Sequence, residues 1–123
     1  MTLCEGSILN SDVASVLEDL FKVLANDTRL RILNALARLE EVHVGGLCEA
    51  VGMKPQAVSN QLQRLSDRGI VGSRREGNCV YYRIANPCVT MLLDYGIGLV
   101  GDFKKRGRSD WGKRAKEKRQ QQN

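Results

Sequence analysis

Between Lys54 and Arg64 the chain places Gln56, Ser59, Asn60, Gln61 and Gln63 at separations of three, four and seven residues. On a helix, that spacing stacks side chains on the outward face, turn above turn. A solvated helix face ordinarily carries Glu and Lys pairs. Amides and hydroxyls instead both donate and accept, which is what reading base edges in a major groove requires: Gln or Asn with adenine, Ser with several acceptors, Arg64 with guanine or a phosphate. The alternative is an incidentally polar solvent face, and the neighbouring elements must decide between the two.

A second set of side chains could bind soft ions. Cys4, Cys48, Cys79 and Cys88, with the single histidine His43 and the carboxylate Asp102, are the candidate metal or thiol-switch residues. Their spacing fits no zinc-ribbon pattern. Thiols favour As(III), Cd(II) or Hg(II) over harder ions. Cys48, beside Leu47 and Val51, also reads as a small core residue, and His43 as an exposed side chain. Cys79 opens a strand near Arg74 and Arg75, where oxidation would alter a basic surface, so thiol switching is an alternative to metal binding.

Composition narrows the function class. One histidine, no Ser-His-Asp arrangement and no glycine-rich phosphate loop after a strand argue against an enzyme. No uninterrupted apolar run long enough to span a membrane is present, and "MTLCEGSILN" has neither a basic start nor an apolar core, so a cytoplasmic protein is expected. Residues 104–119 hold nine Lys or Arg against Asp110 and Glu117, a net +7 in a chain of +5, which leaves −2 for residues 1–103. The basic segment 104–123 lacks an apolar stripe and reads as a disordered tail, either solubilising or attracted to phosphates. Residues 1–10 read as a flexible arm and 11–103 as the folded domain.

The elements that must position these residues follow from periodicity. Val13, Val16, Leu17, Leu20, Phe21 and Leu24 form the stripe of a first helix. Asp27 can cap a second, with Leu30, Ile32, Leu33, Leu36 and Leu39 as its buried face. A short third helix, about Val44 to Val51, ends at Gly52. Pro55 suits the first turn of a fourth, which buries Val58, Leu62 and Leu65 and stops at Gly69. The period then changes: Ile70 to Arg74 and Cys79 to Ile84 are β-prone runs joined through Glu76, Gly77 and Asn78. Asn86 and Pro87 open a last helix with Val89, Leu92, Leu93, Ile97 and Val100 as its apolar positions, expected to fray beyond Gly98. Four helices, a β-hairpin and a helix give the α-α-α-α-β-β-α order of a winged helix-turn-helix, mainly α. Lys54, Gln56, Ser59, Asn60, Gln61 and Arg64 then lie on the recognition helix, while Arg74 and Arg75 on the hairpin are expected to contact backbone phosphate or the adjacent minor groove.

"VLANDTRLRILNAL", "VGGLCEAVGMKPQAVSNQLQRLSDRGIV" and "RREGNCVYYRI" resemble, in order and spacing, the ArsR/SmtB family of bacterial winged-helix repressors over roughly residues 16–95. The resemblance implies a homodimer built by the first and last helices, binding a two-fold double-stranded DNA operator until an inducer releases it. A dimer is expected independently, because the first helix has more apolar positions than one short corner covers.

The family's metal positions carry over incompletely. Its third-helix motif falls on "EVHVGGL", residues 41–47, placing His43, Gly45 and Gly46 where ligands stand. Its last-helix zinc positions become Asn86, Cys88, Leu99 and Asp102, of which Cys88 and Asp102 can ligate. The expectation is a repressor released by a thiophilic metal, a metalloid or thiol oxidation, with no cofactor needed for folding. The alternative is a constitutive nucleic-acid-binding module.

Overall fold

The computed structural model describes residues 7–105; Cys4 and residues 106–123 of the expected tail lie outside the described residues. The described elements are α1 Ser11–Leu24, α2 Asp27–Leu39, β1 Val42–His43, α3 Val44–Val51, α4 Pro55–Asp67, β2 Val71–Glu76, β3 Cys79–Ile84 and α5 Pro87–Lys105. After Ala85 the chain divides into two units, the second beginning at Asn86.

In the first unit the buried core is drawn from Leu24 at the end of α1, Ile32, Leu33 and Leu36 of α2, Leu47 and Val51 of α3, Val58, Leu62 and Leu65 of α4, and Ile70 and Val71. α3 packs against both α2 and α4, and α4 against β2. No polar side chain is buried among the described residues. Hydrophobic burial of about 1.5–3 kcal/mol for each such side chain therefore holds the helix-turn-helix together.

Helix boundaries are set locally. Asn26, not Asp27, caps α2: its Oδ1 accepts from Arg29 N at 3.1 Å, and Asp27 is the first helical residue, complementing the dipole. The expected α2 face is also narrower than the apolar spacing implies, since Leu30 and Leu39 remain exposed. Both lie at the edges of the stripe that Ile32, Leu33 and Leu36 centre. Gly52 takes φ +67°, and its N–H and that of Met53 both donate to Cys48 O, ending α3.

The hairpin forms with the two-residue turn Gly77-Asn78, Gly77 supplying φ +63°, but it belongs to a three-stranded sheet of order β1-β3-β2. Val42 and His43 pair with Tyr82 and Tyr81, a strand too short to produce an alternating pattern in the sequence. It is introduced by a γ-turn centred on Glu40, at φ 67° and ψ −59°, with Glu41 N donating to Leu39 O at 2.8 Å.

In the second unit, Asn86 Oδ1 accepts from Cys88 N at 2.8 Å and starts α5 behind Pro87. The helix does not stop at Gly98. It continues past Gly101 to Lys105, taking in the first two residues of the expected tail. A Cβ at Gly96, Gly98 or Gly101 would meet nothing within 4 Å. None of the described α5 side chains is buried.

Candidate nucleic-acid interface

α4 is held by its apolar face and offers the opposite one. Val58, Leu62 and Leu65 are fully enclosed, whereas Gln56, Ser59, Asn60, Gln63 and Arg64 are exposed along the same 13 residues. Lys54 is the N-cap residue; its carbonyl accepts from Val58 N, and its side chain makes no capping bond. Two ladders run along the outer surface: Gln56 Nε2 donates to Asn60 Oδ1 at 3.1 Å, and Gln63 Nε2 to Asp67 Oδ1 at 2.8 Å. The first bond leaves both amides with spare donor and acceptor capacity, and the second leaves Gln63 with a free donor and acceptor. Gln61 is different from the others, being half-buried with its Oε1 accepting from Arg29 Nε at 2.8 Å.

The wing separates two arginines that the sequence presents as equivalent. Arg74 donates through Nε to Glu41 Oε1 at 2.8 Å and through Nη1 to Glu76 Oε2 at 2.7 Å, and stacks 4.8 Å from the Tyr81 ring centre. Two carboxylates around one guanidinium leave that spot net negative. The Arg74 hydrogen bond pulls the Glu41 carboxyl below the usual glutamate range, and the two carboxylates hold the guanidinium firmly protonated. Arg75, opposite Val80, is exposed and has no ion pair among the described residues. The wing's exposed cation outside these ion pairs is therefore Arg75, and Arg74 ties the wing to the segment before α3.

His43 is the N-cap of α3, its Nδ1 accepting from Gly46 N at 3.1 Å while its ring meets Tyr81 edge-on at 6.1 Å. The glycines behind it make room for this arrangement. A Cβ on Gly46 would come 2.8 Å from Val42 Cγ2, and one on Gly45 would sit 3.1 Å from the imidazole. Cys48 is half-buried on α3, while Cys79 is exposed at the start of β3, opposite Glu76. Cys88 and Asp102 are exposed at opposite ends of α5, about 21 Å apart along its axis at 1.5 Å per residue. No three of His, Cys, Asp and Glu gather into a metal-sized group among the described residues.

A helix-turn-helix with an amide-rich second helix and a flanking β-wing defines a winged-helix DNA-binding regulator. The family model for the bacterial regulatory proteins of the arsR family matches residues 26–73, from the α2 cap into β2. CadC, the cadmium resistance transcriptional regulatory protein of Listeria innocua, is 30% identical over 93 residues, 76% of this chain and 77% of that one. The crystal structure of AntR, an antimony-specific transcriptional repressor, superposes with a TM-score of 0.75 at 51% identity, covering 84% of this chain and 93% of AntR. The homodimeric winged helix-turn-helix DNA-binding domain of Mb0332 from Mycobacterium bovis gives a TM-score of 0.64 at 35% identity, over 84% and 94% of the two chains. The chain belongs to the ArsR family of transcriptional regulators.

Proposed function

We propose that this protein is a homodimeric cytoplasmic repressor that reads a two-fold DNA operator with α4 and leaves it when a thiophilic metalloid or metal binds its cysteines. The observation that carries the DNA-reading half is the exposed face of Gln56, Ser59, Asn60 and Gln63, flanked by Lys54, Arg64 and the unpaired Arg75 of the wing. Dimerisation is supported by the uncovered apolar side chains of α1 and α5, Val16, Phe21, Tyr95 and Ile97 among them, and by the homodimeric M. bovis domain.

The inducer reading rests on Cys48, Cys79 and Cys88, all free thiols, and on kinship with an antimony-specific and a cadmium-resistance regulator. Thiolates are the preferred ligands of As(III), Sb(III) and Cd(II). Asn86 and Leu99 occupy two last-helix positions where neither side chain suits zinc. Ligands from both protomers, with Cys4 among them, would complete the site.

The test is fluorescence anisotropy of the full chain on a duplex recovered by selection from a randomised pool. It is titrated with As(III), Sb(III), Cd(II), Zn(II) and peroxide for wild type and for C4S, C48S, C79S and C88S. Release by a metalloid or Cd(II), abolished in at least one thiol variant, is the expected result. Tight binding indifferent to every agent would leave a DNA-binding regulator without this inducer class.

A further inference from the structure

Gln61 is the one α4 amide whose acceptor is turned away from the outer face. It lies on the flank of the helix, three residues from Val58 and four from Leu65, and accepts from Arg29. The same guanidinium reaches the other way: Arg29 Nη1 donates to Val23 O at 2.9 Å, in the last turn of α1. The backbone of Arg29 is itself fixed, because its N–H donates to the capping Asn26.

Each end of this bridge has a physical reason. Val23 carries one of the last four carbonyls of α1, which have no partner within that helix, and a cation there complements the helix dipole. Arg29 is half-buried, so its bonds are shielded from competing water. A planar guanidinium offers its N–H groups in fixed directions. The contacts of Val58, Leu62 and Leu65 hold α4 down, but apolar contact is non-directional and tolerates rotation of the helix about its axis. A hydrogen bond from a rigid fork does not.

We propose that Arg29 is a positioning residue that sets the rotation of α4 against the end of α1, with Gln61 serving as its acceptor and not as a reader of bases. The inference rests on α4 being the DNA-reading helix. Even a small rotation of α4 shifts Ser59 and Asn60 together relative to the base edges, so the bridge governs the whole outer face and not one base pair. It also joins the recognition helix to α1, the helix with the uncovered apolar face in this unit. A change in how α1 is seated therefore reaches α4 through one side chain.

The test compares wild type, R29M, Q61M, the double variant R29M/Q61M, Q61E and N60A as full-length proteins. Base preference at every position of the selected duplex and affinity for unrelated duplex are both measured. R29M and Q61M should each lower the ratio of specific to non-specific affinity about tenfold, the scale of one hydrogen bond to a charged group. Both should flatten preference across all base pairs beneath α4, and the double variant should lose no more than either single one. Q61E keeps an acceptor for Arg29 and should keep the shape of the preference profile, a rescue that a direct base contact would not allow. N60A should lose preference at one or two base pairs only. Additive losses, or a Q61M defect confined to one base pair with R29M unaffected, would overturn the proposal. If N60A changes no preference at all, α4 is not the reading helix and the inference falls with that reading. Because Q61E retains the bridge, a fold defect in R29M does not shield the proposal.

Discussion

Arg74 and Glu41 are joined by two contacts to a single oxygen, Nε to Oε1 at 2.8 Å and Nη2 to Oε1 at 2.7 Å, across 33 residues of chain. The bond fastens β2 of the wing to the γ-turn segment that leads into β1 and α3. Since Arg74 also meets Glu76, its charge is balanced within the protein, whereas Arg75 has no ion pair among the described residues.

The two arginines should therefore separate in a salt titration. R75A should weaken binding to all duplexes alike and lower the slope of log K against log salt by about 0.9 for each protomer, one phosphate contact's worth of counterion release. R74A should leave the slope nearly unchanged, with its cost appearing in the order of the wing. A base-specific loss in R75A would show that the wing reads sequence.

The same tether makes stability depend on acid. The Glu41 carboxyl is lowered in the folded protein, first by the Arg74 hydrogen bond and then by its charge and that of Arg83, from an ordinary value of 4.5. A carboxyl lowered on folding contributes stability that is fully present above its unfolded value and is lost as pH falls through the folded one. The stability difference between wild type and E41Q should accordingly be constant at neutral pH and shrink below 4.5. Urea denaturation of both proteins over that range measures it. A difference independent of pH would mean that Glu41 acts through packing.

The turn before α3 offers a prediction about His43. H43A removes the cap on Gly46 N and should cost about 1 kcal/mol, while H43N or H43D, which keep an acceptor, should restore most of it. G46A should destabilise by about 1–3 kcal/mol, because its Cβ would overlap Val42 Cγ2. If H43N folds normally yet abolishes release by a metal, His43 has a ligand role beyond capping.

α4 and its buried face were legible because each depends on side chains near in sequence: Val58, Leu62 and Leu65 mark one face, Pro55 the start and Gly69 the end. Asn26 was missed as the α2 cap because Asn and Asp stand side by side, and only backbone geometry decides which lies outside the helix. β1 is two residues long and exists through its pairing with β3, a non-local contact that leaves no periodic trace. The different surroundings of Arg74 and Arg75, and of Gln61 and its neighbours, are likewise tertiary. Glu41 and Arg29 are more than 30 residues from their partners.

The apolar stripe of α1 was legible as a pattern but not as a destination. Of its six positions only Leu24 is buried within the chain, while Val16 is 70% and Phe21 48% exposed. Full burial of side chains of this size is worth about 1.5–3 kcal/mol each, so leaving them in water is a cost that a second chain removes. V16E and F21E should thus leave the helix-turn-helix core intact, since neither residue belongs to it, and should shift the protein from dimer to monomer in sedimentation equilibrium. Operator affinity should fall with the dimer, because one recognition helix holds half a two-fold site, while the circular dichroism spectrum changes little. Retention of the dimer in both variants would remove α1 from the interface and leave the apolar positions of α5, Met91, Tyr95 and Ile97, to be tested by the same charge substitutions.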